Sequence, residues 1–260
     1  MAIPKELGRF GVVNARTPQT RRLIACGFGE CGVGKSDLML RTAPRPLLAI
    51  NLDRNMEGLE DRYKEDDSLM IKDIRLPRVP NQEEDERIWT NFRELYETAT
   101  SKGLVRSILL DTGDELYKLL VRAKVGELEF GDPKYAKQYG VVGSNMKWVF
   151  DQAKDSRINL LVTHKVEDDY VEGTSRSGRK ISVKSGKRKM SGWKNAAYEC
   201  QMLFEMFKDV AESGEDRYKL KILKCNGNPD VEDEVLQGSE ITWATLGKLA
   251  APWTDISEWK

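Results

Sequence analysis

Apolar and polar positions follow two alternating rhythms along the chain. Short apolar runs bounded by Gly, Pro or Asp read as buried strands: residues 22–28 (RLIACGF), 46–53 (PLLAINLD), 104–111 (LVRSILLD) and 158–163 (INLLVT), with a weaker run at 68–76. Between them, apolar side chains recur at helical spacing. Ile88, Phe92, Leu95, Tyr96 and Ala99 predict an amphipathic helix over about 84–101. Leu116, Leu119, Leu120 and Ala123 predict a second, and Val142, Met146, Val149, Phe150 and Ala153 a third, beyond a loop with Gly131 and Pro133. A short helix over 36–41 ends before Pro44. Residues 199–207 and 217–225 read as neighbouring strands joined at a Gly214 turn.

Alternation of buried strands with helices predicts an α/β fold, a mostly parallel central sheet covered by helices on both faces. The last two strands predict antiparallel pairing toward the C-terminal end. The expected organisation is an arm at 1–20, a core at 21–228 interrupted by a long loop at 165–194, and a tail at 229–260.

Composition narrows the function classes. Lys plus Arg (42) equals Asp plus Glu (42) in 260 residues, so no global field steers the chain to nucleic acid or membrane. No apolar run is long enough to span a bilayer. Cys26, Cys31, Cys200 and Cys225 form no C-x-x-C pair and there is one histidine, which argues against zinc. Scattered thiols without a secretory leader predict a reducing, cytoplasmic setting.

Gly29-Glu30-Cys31-Gly32-Val33-Gly34-Lys35-Ser36 follows the first strand and opens a helix, in the pattern G-x-x-x-x-G-K-[ST]. Glycines let successive backbone N–H groups turn inward around phosphates, and the helix N-terminus adds a favourable dipole. Lys35 would reach the β- and γ-phosphates, and the Ser36 hydroxyl would ligate Mg²⁺. With ordinary glycine usage such a match arises by accident in only about one chain in a hundred of this length, so nucleotide binding is the preferred reading.

Hydrolysis needs a metal partner and a base. Asp111 ends the run SILLD, where the sheet would bring its carboxylate beside the phosphate loop as a second-shell magnesium carboxylate. For the base, Asp53 at the end of AINLD competes with Glu57 and Glu115. His164, ending INLLVTH, is a candidate γ-phosphate sensor or a structural histidine.

The order of phosphate loop, strand ending at Asp53, SILLD and LLVTH resembles the RecA-like core ATPases. It is most similar in feel to short phage and prophage nucleotide-binding proteins that include single-strand annealing recombinases. The resemblance covers about residues 20–226. It implies a RecA-like P-loop NTPase fold, ATP and Mg²⁺ as cofactors, a homo-oligomer with ATP between subunits, and a host cytoplasm as location. In that family a carboxylate at the second strand's end serves as base, a place Asp53 matches as Asp rather than the usual Glu. A polar residue before the DNA-binding loop senses the γ-phosphate, a place His164 occupies. Basic residues late in the fold reach the neighbouring subunit's nucleotide, which Lys224 in KILKCNG fits, although Asn226 stands where RecA has a second lysine.

The loop after His164 is the chain's one strongly biased stretch. Between Gly173 and Lys194 it carries Arg176, Arg179, Lys180, Lys184, Lys187, Arg188, Lys189 and Lys194, and no acid. Such a segment would neutralise phosphates of single-stranded DNA in a salt-sensitive way. Two blander readings compete: a solvated surface, or pairing across a hairpin with Glu167, Asp168, Asp169 and Glu172. An ATPase acting on single-stranded DNA in recombination or annealing is therefore the leading expectation. A helicase-loader or AAA+-type motor and a small-molecule phosphotransferase are the alternatives.

Overall fold

Each apolar run becomes a strand, its ends shifted by a few residues at most, in a computed structural model that describes residues 22–259 apart from 55, 57, 59, 127, 129–133, 175–179 and 211–215. The arm at 1–20, the Gly131 and Pro133 loop and the Gly214 turn lie outside the described residues. The elements run β1 (Ile24–Phe28), α1 (Lys35–Thr42), β2 (Leu47–Asn51), β3 (Leu69–Asp73), α2 (Gln82–Ser101), β4 (Ser107–Asp111), α3 (Gly113–Lys124), α4 (Tyr135–Asp155) and β5 (Asn159–His164). They continue with β6 (Val166–Thr174), β7 (Lys180–Met190), α5 (Ala196–Glu199), β8 (Met202–Val210), β9 (Asp216–Cys225), β10 (Val235–Gln237) and α6 (Trp243–Ala250).

Eight strands form one sheet in the order β10-β9-β8-β1-β5-β4-β2-β3. From β8 to β3 every neighbouring pair is parallel, while β9 and β10 each run antiparallel to the strand before them. The expected α/β architecture is thus present, with antiparallel strands near the C-terminal end.

Side-chain alternation explains why the strands are apolar throughout. Ile24 and Cys26, Ile108 and Leu110, and Leu160 and Val162 face one core beneath α2, α3 and α4. Their neighbours Leu23 and Ala25, Leu109, and Leu161 face a second core beneath α1 and α6. Helix starts are capped locally: the Asn81 side chain accepts from the Glu84 amide at 3.0 Å, and Thr112 accepts from Glu115 at 3.4 Å. Arg122 of α3 grips the fully buried Asp85 of α2 through two hydrogen bonds of 2.8 and 2.9 Å.

Two expectations change. Residues 165–194 are not a long loop but mainly a two-stranded antiparallel hairpin of β6 and β7, separate from the main sheet. The C-terminal segment is not a peripheral tail. It supplies β10 to the sheet edge and lays α6 against α1, where the Trp243 amide donates to Thr42 Oγ1 at 2.8 Å. Trp243 and Trp259 are both buried in the second core. Replacing Trp243 with Ala should therefore remove about 3–5 kcal/mol from the unfolding free energy. A urea titration checks this; a loss below about 1 kcal/mol would mean that the segment does not belong to the core.

Candidate functional site

β1 stops at Phe28 and α1 starts at Lys35, so the glycine-rich octapeptide crosses the carboxyl edge of the sheet. Two of its glycines answer a steric demand. A Cβ on Gly29 would stand 2.1 Å from the Met206 carbonyl oxygen, and Gly34 turns the chain into α1 at φ 90°. No side chain caps the α1 N-terminus, so its first amides are left to the space above the loop. Lys35 folds back, its Nζ donating to the carbonyls of Gly29 at 2.9 Å and Glu30 at 2.7 Å. Burial lowers its pKa from the ordinary lysine value, against the pull of Asp111, Cys31 and Asp53. Cys31 itself is exposed, and Val33 is buried in the second core.

Asp111 is the carboxylate this loop meets. Ser36 Oγ donates to its Oδ2 at 2.5 Å, and the Thr163 hydroxyl donates to Oδ1. Alternation along the strands arranges the encounter. Leu109 and Leu161 face α1, so Asp111 and Thr163, two residues further along each strand, face it as well. The Asp111 carboxylate is 2% exposed. Burial raises its pKa and nearby Asp53 adds to the rise, outweighing the two hydroxyl hydrogen bonds. A cavity of about 960 Å³ lies over these groups, bounded by the loop, Asp53, Asp111 and Lys165.

The same alternation removes His164 from the cleft. It shares the face of Leu160 and Val162, is fully buried, and lies against Gly113, where a Cβ would stand 2.6 Å from the His164 ring. Its Nδ1 is 3.6 Å from Asp114 Oδ2, and neither ring nitrogen makes a hydrogen bond among the described residues. The next residue, Lys165, lines the cleft instead. Lys224 also lies elsewhere. β9 runs antiparallel, so Lys224, opposite Leu203, sits toward the amino edge of the parallel strands. There its Nζ donates to the α5 carbonyl of Ala197 at 2.6 Å and to Cys200 at 2.9 Å.

Among the candidate bases, Asp53 lines the cleft just past β2. Glu115 is held between Lys118 at 2.9 Å and Lys165 at 3.0 Å. Burial acts to raise its pKa, but the two lysines hold it below the usual value. Glu57 lies outside the described residues.

The hairpin converts much of the expected basic surface into pairs. Lys180 meets Glu172 at 3.1 Å, Lys184 meets Asp168, and Lys189 lies 3.1 Å from Asp169 and 3.7 Å from Glu167. Residues 166–190 hold seven basic and four acidic residues, so an excess of positive charge survives the pairing. Arg176 and Arg179 lie outside the described residues, and Lys187 sits in β7.

Contacts that sequence reading missed tie this hairpin to the loop and to the sheet edge. Arg188 reaches Glu30 of the loop at 2.5 Å and Glu205 of β8 at 2.8 Å. Buried Asp114 accepts from the Lys165 amide at 2.7 Å and from the Ser191 hydroxyl, pinning both ends of the hairpin beside β4. Burial alone would raise the Asp114 pKa, but His164, Ser191 and the Lys165 amide hold it below the usual value. The sequence pattern gives no signal of what Asp114 holds.

Compared with known proteins, the chain matches no family model and no curated protein.

The Asp111 environment has a pH signature. Its folded pKa lies above its unfolded value near 3.8, so its contribution favours folding below 3.8 and is lost as pH rises through the folded pKa. Above pH 3.8, without divalent metal, Asp111 thus costs the fold stability. Asp111→Asn should melt higher than wild type at pH 7 in a chelator, the gap closing as pH falls toward 3.8. A variant that melts lower at pH 7 would contradict the assignment.

Proposed function

We propose that this chain binds a nucleoside triphosphate over residues 29–36 and hydrolyses it, as a RecA-like P-loop ATPase acting on single-stranded DNA. The observation that carries the reading is the Ser36–Asp111 hydrogen bond of 2.5 Å between residues 75 apart in sequence. A chance glycine-rich turn has no reason to place a buried carboxylate on the hydroxyl that ends its motif.

Each group has a role in this reading. The loop amides and the α1 N-terminus receive phosphate oxygens, and Lys35 exchanges its two carbonyl partners for the β- and γ-phosphates. Ser36 Oγ and the Asp111 carboxylate are hard oxygen donors of the kind Mg²⁺ selects, and the buried Asp111 charge lacks a cation in contact with it among the described residues. They would hold the ion, which when bound neutralises phosphate charge. Asp53 orients the attacking water, and Lys165 rather than His164 supplies a polar group at the end of β5. Lys224 has no part in its own subunit's site in this reading, because it lies toward the amino edge of the parallel strands, away from the loop. A homo-oligomer remains the assembly that the resemblance favours.

The DNA assignment is supported by the surplus positive charge of the hairpin and by its Arg188 contact to the loop, a link between nucleotide and strand. A second reading, phosphoryl transfer to a small acceptor, is favoured by the cavity that adjoins the cleft at Asp53 and Lys165.

Steady-state turnover separates the readings. ATPase activity should rise with single-stranded DNA, with stimulation fading as salt increases. Lys35→Ala should lose about 10²-fold or more of it. Turnover indifferent to DNA at every salt concentration would overturn the DNA assignment, and Lys35→Ala turning over at the wild-type rate would overturn the site.

A further inference from the structure

A second cavity of about 740 Å³ opens beside the cleft and shares Asp53 and Lys165 with it. One side of it is aromatic. Tyr135 and Tyr139, one turn apart on α4, stack with centroids 5.6 Å apart and planes 16° apart. Tyr117 of α3 meets Tyr139 edge-on, their hydroxyls hydrogen-bonded. Tyr117 and Tyr135 pack against the core, whereas Tyr139 keeps 41% of its surface exposed. The platform is therefore anchored below and open above.

Among the charged residues of the remaining lining, cations outnumber the carboxylates Asp53 and Glu115. Arg122 is committed to Asp85, and Glu115 is neutralised between Lys118 and Lys165. Arg54 and Arg78 make no ion pair among the described residues, and both line the cavity. Arg54 holds φ 62°, a conformation unfavourable for a side chain of its size. A cluster serving only to pack would have no need of two guanidinium groups that are outside any ion pair among the described residues. An aromatic ring that is open to solvent in a cavity also lined by two guanidinium groups is the chemistry that recognises a base attached to a phosphate.

We propose that this cavity binds a nucleotide unit, its base stacked on Tyr139 and its phosphate met by Arg54 and Arg78. Neither ATP turnover nor the β6–β7 hairpin is required for this binding. The unit can come from a single strand or from a free nucleotide, and the test distinguishes the two. In either case Lys165 borders both the unit and the phosphate cleft.

Binding is measured on the full chain carrying Lys35→Ala, so that the phosphate loop does not take up the probe. One arm uses a labelled 5′-phosphorylated oligothymidylate followed by anisotropy; the other uses thymidine 5′-monophosphate followed by calorimetry. Tyr139→Ala should weaken the bound probe about tenfold or more, while Tyr139→Phe stays close to the parent. Arg54→Gln with Arg78→Gln should weaken binding and flatten the salt slope for the strand by about 1.4. A strand that binds where the monophosphate does not identifies a strand site. A monophosphate that binds alone, with the strand no tighter, identifies a free-nucleotide site. Tyr139→Ala binding both probes like its parent, or neither probe binding the parent, would overturn the proposal. Because every protein in this comparison lacks Lys35, failure of the ATPase reading leaves the outcome unaffected.

Discussion

The Asp111 carboxylate is a charge at the sheet's carboxyl edge, almost wholly removed from water, whose hydrogen bonds to Ser36 and Thr163 do not offset its burial. Much of the local architecture follows from holding it there. β4 must end level with β1 and β5, which the parallel registers provide. The glycine-rich loop must pass close enough to Met206 that Gly29 admits no side chain. α1 must begin at Lys35, so that a cation and a hydroxyl arrive together from one helical turn. An unfavourable buried anion beside an uncapped helix N-terminus is an arrangement that a cation–phosphate ligand would relieve at both ends.

The hairpin is coupled to that edge rather than simply attached to it. Asp114, three residues after Asp111, holds its two ends, and Arg188 joins β7 to Glu30 of the loop and Glu205 of β8. A ligand that displaces Glu30 or draws on Arg188 would be felt along β7. The neighbouring tyrosine cavity meets the same edge through Lys165. Loop, hairpin and second cavity thus share a small set of side chains at the ends of β2, β4 and β5.

Much of this was legible in the sequence, for physical reasons. Fully buried parallel strands write themselves as unbroken apolar runs, so β1, β2, β4 and β5 and the Ser36–Asp111 partnership could be read directly. The face of a strand-end residue was also legible but requires counting parity. Leu160 and Val162 put His164 under α3 and α4, while Leu161 puts Thr163 against Asp111. The hairpin was harder to see, because a Gly- and Ser-interleaved basic stretch reads as a loop until its acidic partners are aligned across from it. The edge of the sheet that Lys224 occupies was not legible, because its strand direction depends on pairing that sequence pattern does not specify. Nor did the short apolar stretch around Trp243 show that α6 would cover α1. Tyr139 met Tyr117 only through the packing of α4 on α3.

The central claim is that Ser36 and Asp111 form a magnesium–triphosphate site, and thermal melting with a non-hydrolysable ATP analogue tests it most directly. A ligand at 100 times its Kd should stabilise the fold by about 2.7 kcal/mol. The predicted result is a rise in Tm with analogue and Mg²⁺ together, reduced by omitting Mg²⁺ and reduced likewise by Asp111→Asn. A Tm unmoved by saturating analogue and Mg²⁺, or raised equally in wild type and Asp111→Asn, would contradict it.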